Sequence, residues 1–434
     1  MAKRITVIGT GYVGLVSSVG LADFGNYVTG VDINAEVVDR LNNGNPHIYE
    51  HGLTEYLVRN LEAKRLSFSG DVAGSVRESE IVFLAVGTPS TPAGGADLTQ
   101  IEAAVDTIAS NLNDFKVVVT KSTVPVGTNR WIKDQLRQKT GDDNYAVVSN
   151  PEFLREGKAV QDFFHPDRVV IGYENQRGRE YMEDVYRALY LIQTPIVWCN
   201  LETAELIKYA SNAFLATKIT FINQMAHLAE AANADIHQIA KSMGMDGRIS
   251  PKFLHPGPGY GGSCFPKDTK AIASTGDEYG VDMSLIKEVI RANENQKTWI
   301  ADKLAFLTGG LAGTVVAVLG LAFKAETDDI RESPSIAIVE RLLEAGARVQ
   351  VHDPKAMDNF RELFGDRVEY LDGEFEAIAG AHATVILTEW NEYRNLDLER
   401  ARKLMAGNII LDTRNVLEPD RARSVGFIYS GVGR

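Results

Sequence analysis

The amino-acid sequence predicts an α/β protein with two doubly wound, parallel-sheet domains joined by a central region built on one long helix. Three observations carry this reading. Near the start, a short apolar strand runs into Gly9-Thr-Gly-Tyr-Val-Gly14, then a helical stretch to Phe24 and a second strand ending at Asp32. After Gly313 the same order returns, with an apolar strand to Gly320, a helix from Ser333 and a strand ending at Asp353. Between the two repeats lies a run from Leu201 to about Asn233 that has a helical period and no glycine or proline. At 434 residues the chain is too long for one core, and the divisions fall at 1–198, 199–308 and 309–434.

The first turn has the composition of a dinucleotide-binding unit of the Rossmann type. Gly9 permits a tight turn, Gly11 lets a pyrophosphate approach the backbone and the helix N-terminus, and Gly14 allows close packing of helix on strand. Val13 in the same turn joins the cofactor-binding set. Asp32 follows Gly9 by 23 positions. A carboxylate there accepts from a ribose 2′-hydroxyl and repels a 2′-phosphate, which selects NAD over NADP. Further apolar strands at 81–86, 117–121 and 146–149 each end in a polar turn: Gly87-Thr-Pro89, Ser122-Thr-Val-Pro125 and Asn150-Pro-Glu152. Such strand ends line the crevice of an open parallel sheet, so Thr88, Thr123 and Glu152 point to one site.

In the central region Lys208 and Asn212 stand four apart and share a helical face, a cation and an amide that can be aimed at one oxygen. Solvated polar residues on a long helix are the alternative. Residues 257–268 read Gly-Pro-Gly-Tyr-Gly-Gly-Ser-Cys-Phe-Pro-Lys-Asp, with Cys264 between glycines and a helix start near Pro266. Glycines admit a ligand to the backbone, and a helix N-terminus favours a thiolate, which makes Cys264 a candidate nucleophile. An ordinary thiol is only about 3% ionised at neutral pH and a helix dipole contributes roughly 1 kcal/mol, so Lys267 has to supply the remainder. An inert cysteine in a structural turn is the alternative here.

The second alternation differs from the first in its opening turn. Gly320-Leu-Ala-Phe-Lys324 lacks three glycines, so a second dinucleotide is not expected. Lys324, Arg331 and Arg414 instead offer cations for the phosphates of a nucleotide that carries the substrate.

Bulk composition narrows the class. The chain is 44% hydrophobic and 24% charged, as in globular proteins, and its net charge of −13 argues against a nucleic-acid or anionic-membrane surface. Cys199 and Cys264, 65 positions apart without a CxxC, form neither a disulfide framework nor a zinc site, so no metal is expected. The N-terminus leads into a strand and no apolar run approaches membrane-spanning length, which points to a reducing cytoplasm.

Several blocks together resemble the UDP-glucose/GDP-mannose dehydrogenase family: Gly9 to Gly14, residues 122–127, residues 150–157, Pro166-Asp-Arg168, the Lys208/Asn212 helix, Pro256 to Asp268, Phe323-Lys324 and Arg331-Glu-Ser333. They cover nearly the whole chain in order. The resemblance implies a four-electron oxidation of UDP-glucose at C6 to UDP-glucuronate with two NAD turnovers, through a thiohemiacetal and a thioester on Cys264. The same chemistry on UDP-N-acetylmannosamine, GDP-mannose or a UDP-galactose-type sugar is the alternative. By the same resemblance, Lys208 and Asn212 stabilise the oxyanion, Asp268 is a general base or water organiser, and Thr123 and Glu152 hold the water or proton path. NAD is met by Thr88, Thr123, Glu156, Lys267 and Arg331. Substrate is gripped by Glu152, Phe153, Leu154, Glu156, Phe253, Gly257, Gly261, Lys324 and Arg414, with Lys208 and Asn212. Arg248, also in the substrate set, reaches a neighbouring subunit, which makes the expected assembly a homodimer. Val37 departs from the pattern, since many relatives carry a basic residue there that touches the cofactor ribose.

Overall fold

The computed structural model of the chain describes residues 2–141 and 143–434. The chain forms two compact units, Met1–Ser211 with Ser274–Tyr279, and Asn212–Ala273 with Gly280–Arg434.

The first unit is built on an eight-stranded sheet. In chain order its strands are β1 (Arg4–Ile8), β2 (Tyr27–Val31), β3 (Leu66–Ser69), β4 (Ile81–Leu84), β5 (Lys116–Thr120), β6 (Tyr145–Ser149), β7 (Val169–Tyr173) and β8 (Ile196–Cys199). They lie side by side as β3-β2-β1-β4-β5-β6-β7-β8. Every residue of β4, β5 and β6 is buried, because helices cover both faces of the sheet. The two-residue alternation divides the apolar side chains between two layers. Val117 and Val119 of β5 pack into one, with Val7, Leu15 and Phe83. Val118 packs into the other, with Ile101, Val105 and Ile132.

The parallel order has one antiparallel step. β7 runs antiparallel to β6, pairing Val148 with Tyr173 and Ser149 with Gly172, while β7 and β8 are again parallel. Only a six-residue helix, Ala159–Phe164, interrupts the connection, and an antiparallel neighbour needs no crossover helix on the face of the sheet. Asn150, at the end of β6, ties the return together by donating from Nδ2 to the carbonyl of Val170 at 2.9 Å.

A central helix covers Leu201–Ala231, 31 residues, as its unbroken helical period predicts. Phe214, Phe221 and Leu228, spaced by sevens and therefore on one face, are 65%, 42% and 61% exposed.

The second unit carries six parallel strands: β9 (Val315–Leu319), β10 (Arg348–His352), β11 (Glu369–Tyr370), β12 (Ala383–Ile386), β13 (Ile409–Asp412) and β14 (Ile428–Ser430). Their order, β11-β10-β9-β12-β13-β14, repeats that of the first six strands of the other sheet, so the sequence echo is a topological repeat. The acid at the position corresponding to Asp32 has a different use. Asp353 is 2% exposed, and its Oδ2 accepts from the backbone of Leu321 and Ala322 and from Trp390 Nε1. Those internal donors take the oxygen that a ribose hydroxyl meets in a dinucleotide site.

Candidate active site

The dinucleotide cradle lies in the first unit, between β1 and the helix Tyr12–Asp23. Gly9 has φ +93°, and a Cβ on it would stand 2.7 Å from the Ala85 carbonyl oxygen. A Cβ on Gly14 would stand 1.9 Å from the Gly9 carbonyl oxygen, so this glycine is required by helix packing. Gly11 differs: among the described residues nothing lies within 4 Å of the place its Cβ would occupy. It caps the helix without a side-chain bond, leaving the first-turn N–H groups to an outside acceptor. The residues therefore fit the pyrophosphate they were expected to hold.

Asp32 lies at the end of β2, where its Oδ2 accepts from Thr10 N at 3.2 Å and Thr10 Oγ1 at 2.6 Å, and its Oδ1 from Asn34 N at 3.0 Å. Burial acts to raise its carboxyl, but these hydrogen bonds together prevail and hold it below the usual carboxylate value. An anion secured in this way repels a 2′-phosphate at neutral pH. Asp32→Ala is expected to raise KM for NAD about tenfold or more, the scale of a charged hydrogen bond, and to narrow the preference over NADP. Steady-state kinetics with both cofactors checks this, and an unchanged preference removes Asp32 from the ribose site.

The loops at the ends of β4 and β5 are bonded to each other. Thr88 Oγ1 donates to the Thr123 carbonyl at 2.8 Å, and Ser122 Oγ to that of Val86 at 2.6 Å. Glu152 lies beyond β6 and accepts from Lys208 Nζ at 2.8 Å, the two side chains being 5% and 4% exposed. Leu154 N also donates to the Glu152 carboxylate. The Phe153 ring is stacked by Arg168 at 3.6 Å and has the Lys208 ammonium 5.5 Å from its centre. Glu156 occupies the same loop, half-buried.

In the second unit Cys264 immediately precedes the helix Phe265–Glu278, and its carbonyl accepts the first helical bond, from Asp268 N at 2.8 Å. Its Sγ lies 3.5 Å from Ser263 Oγ. One turn into the helix Asp268 is fully buried, with Oδ2 bonded to Asn212 Nδ2 at 2.6 Å and Oδ1 to Lys267 Nζ at 2.8 Å. The Lys267 charge is thus shared with Asp268 and is not reserved for the thiol. Lys208 and Asn212 each meet a carboxylate, Glu152 and Asp268 in turn, because a buried cation or amide takes the acceptor at hand.

Of the residues expected to grip substrate, Asn212, Phe253, Gly257, Gly261, Lys324 and Arg414 belong to the second unit, and Glu152, Phe153, Leu154, Glu156 and Lys208 to the first. Gly257 receives the Asn223 side chain on its N–H and Gln296 on its carbonyl, both at 2.8 Å. A Cβ on Gly257 would stand 3.3 Å from Arg414 Nη1, and one on Gly262 would stand 2.8 Å from the Phe323 ring. Arg414 donates to the carbonyls of Leu387 and Phe323 at 2.8 and 2.9 Å and pairs with Glu389 at 3.1 Å. Lys324 Nζ lies 5.3 Å from the Phe323 ring centre. Gly257, Lys324 and Arg414 are therefore brought together. Gly261 is explained by packing, because a Cβ there would stand 2.4 Å from the Glu332 carbonyl oxygen. Phe253 holds φ +66°, a strained value for a non-glycine, with its ring 6.1 Å from that of Phe265. Arg331 forms a two-point pair with Asp329. Arg248 pairs with Asp246 while its side chain is 90% exposed.

Two supports escaped the sequence reading. Glu50 is buried and binds the backbone N–H groups of Gly157 and Ala159 at 2.8 and 3.0 Å, with Tyr12 OH on the same carboxylate, and so anchors the segment after Glu152. Lys121, directly after β5, has its ammonium buried beneath Asn150. A lysine closing an apolar strand at the crevice end was the available signal.

Residues 3–190, 202–295 and 317–419 match, in turn, the NAD binding, central and UDP binding domains of the UDP-glucose/GDP-mannose dehydrogenase family. The UDP-glucose 6-dehydrogenase of Rhizobium meliloti (strain 1021) is 48% identical over 438 residues, covering 99% of each chain. The UDP-glucose 6-dehydrogenase TuaD of Bacillus subtilis (strain 168) is 42% identical, covering 100% of this chain and 93% of its own. Among solved structures, a UDP-glucose dehydrogenase from the hyperthermophilic archaeon Pyrobaculum islandicum superposes with a TM-score of 0.94 at 41% identity, covering 100% of this chain and 98% of its own.

Proposed function

Since the chain belongs to the UDP-glucose/GDP-mannose dehydrogenase family and is an NAD-dependent oxidoreductase, we propose that it carries UDP-glucose through two oxidations at C6 to UDP-glucuronate, with Cys264 holding the intermediate. NAD, held by the Gly9–Gly14 turn and Asp32, supplies the hydride acceptor for both oxidations. The chain's own residues do the remainder. As C6 becomes a carbonyl, the hydroxyl proton passes to a carboxylate, for which Glu152 and Asp268 are the buried candidates. The Cys264 thiolate adds to the aldehyde carbon, the C–S bond forms and the oxygen becomes an oxyanion, stabilised by Lys208 and Asn212. This thiohemiacetal keeps the one C–H bond left at C6 and makes it a hydride donor, so the second oxidation removes that hydride and leaves a thioester. Water, positioned with Thr123, then attacks the acyl carbon, and the C–S bond breaks to release carboxylate and thiol. Lys324 and Arg414, with Gly257, take the UDP phosphates, and Phe253 packs beside the sugar.

The observation that carries this reading is the placement of Cys264 at a helix N-terminus, one turn from a fully buried Asp268. The exposed Phe214, Phe221 and Leu228 on one face of the central helix, and the outward Arg248, support a homodimer, and Cys199 and Cys264, not joined by a disulfide, suit a reducing cytoplasm. Among the described residues no helix is long and apolar enough to cross a membrane. Counting NADH formed per UDP-glucose consumed tests the reaction, with two expected. A count of one, or faster turnover of UDP-N-acetylmannosamine or GDP-mannose, overturns it.

A further inference from the structure

Lys121 is the third ionisable group of the buried cluster that holds Glu152 and Lys208, and nothing in the reaction above uses it. Its Nζ donates to Asn150 Oδ1 and meets the hydroxyl of Tyr186, each at 3.2 Å. Tyr186 donates to the same Asn150 oxygen at 2.5 Å. Among the described residues no carboxylate forms an ion pair with this ammonium, so only neutral groups take its hydrogens. A buried cation with neutral partners is costly, and apolar packing would be the more stable choice.

Its position gives the charge a use. Lys121 stands two residues before Thr123, and Asn150 stands two before Glu152. The ionisable groups bearing on it are Glu152 from the loop after β6, Lys208 from the central helix and Tyr186. Glu152 therefore experiences two ammonium groups, Lys208 in direct contact and Lys121 at longer range, bonded to Asn150 two residues earlier.

We propose that Lys121 is a positioning residue for the Glu152–Lys208 pair: through Asn150 it holds the Asn-Pro-Glu segment in place, and its ammonium adds a second positive charge to the surroundings of the Glu152 carboxylate. This rests on the assignment of Glu152 and Lys208 to the reaction. Burial lowers the Lys121 ammonium to about 8, the attraction of Glu152 opposing this and the repulsion of Lys208 adding to it. Below that pH the cluster holds both cations, and above it Lys121 becomes neutral and Glu152 loses one of them.

The test is Lys121→Met in the full chain, with kcat and both KM values measured from pH 6 to 10 alongside thermal unfolding. Methionine fills the volume without the charge and leaves the Tyr186–Asn150 bond intact. The expected outcome is a fall in kcat of about tenfold at pH 7, with both KM values within about twofold. The high-pH decline of kcat near pH 8 should disappear. The folded-state value lies below the ordinary lysine value, so the cost of burying the charge is full below pH 8 and is lifted as pH rises toward 10.5. Wild-type stability should therefore gain on that of Lys121→Met across this window, and the variant should melt no lower at pH 7. A wild-type pH profile in the variant, or a kcat loss that follows a lower melting temperature, overturns the proposal. Lys121→Arg, a permanent cation, should restore kcat at pH 7 and move the decline upward, and failure to do either also overturns it. If Glu152→Gln and Lys208→Met leave kcat unchanged, the underlying assignment fails, and that outcome is distinct from a silent Lys121→Met.

Discussion

Cys264→Ala lowers carboxylate formation by roughly a thousandfold or more while leaving the affinities for NAD and UDP-glucose within a few-fold of wild type, because covalent capture has no substitute in the pocket. An aldehyde carries no hydride that a second oxidation can remove from carbon unless a nucleophile has first added to it. The helix that begins at Phe265 offers first-turn N–H groups beside the sulfur, and Asp268 and Lys267 are locked to each other, so neither can take over as the nucleophile. Alanine removes the sulfur without disturbing the bond from Asp268 N to the carbonyl of residue 264. Product analysis by mass spectrometry, with calorimetric titration of each ligand, distinguishes lost chemistry from lost binding. Sustained release of two NADH per sugar by this variant would show that capture by sulfur is unnecessary.

Lys208→Met produces the second large effect, and it has two separable parts. Loss of an oxyanion donor reduces kcat by about a hundredfold to a thousandfold. Separately, Glu152 is 5% exposed and loses its ion-pair partner, which costs stability on the order of 3–5 kcal/mol. The double variant Lys208→Met with Glu152→Gln removes the stranded charge, so denaturant unfolding should recover most of the lost stability while kcat remains low. Recovery of both together would make the pair purely structural, and recovery of neither would place the damage elsewhere in the loop.

Much of the cofactor site was legible because its requirements are local. Gly9, Gly11 and Gly14 lie within one turn, and their tasks depend on backbone geometry that only glycine allows. Asp32 is located by a strand length and a helix length, both readable from apolar periodicity. The second sheet was legible for the same reason, since its strand and helix lengths repeat those of the first. The polar pairs were not. Lys208 meets Glu152, and Asn212 meets Asp268, across 56 positions in each case, and no period in the sequence couples residues so far apart. Side-chain direction was equally hidden. Gly261 entered the substrate set by resemblance alone, and no pattern in the sequence showed that its missing Cβ makes room for the Glu332 carbonyl. The return of β7 against β6 was missed because a polar connection with one short helix reads alike for parallel and antiparallel neighbours.

Chain order alone thus settled the fold class and placed the glycine-rich turn, the acid that follows β2 and the segment that bears Cys264, because each depends on neighbours within a turn or a single strand–helix unit. Folding decided which donors meet which carboxylates, why Asp353 faces inward, and that Lys121 carries its charge in the interior. Those outcomes depend on burial, where a polar group must find a partner from whatever segment the packed layers bring within reach.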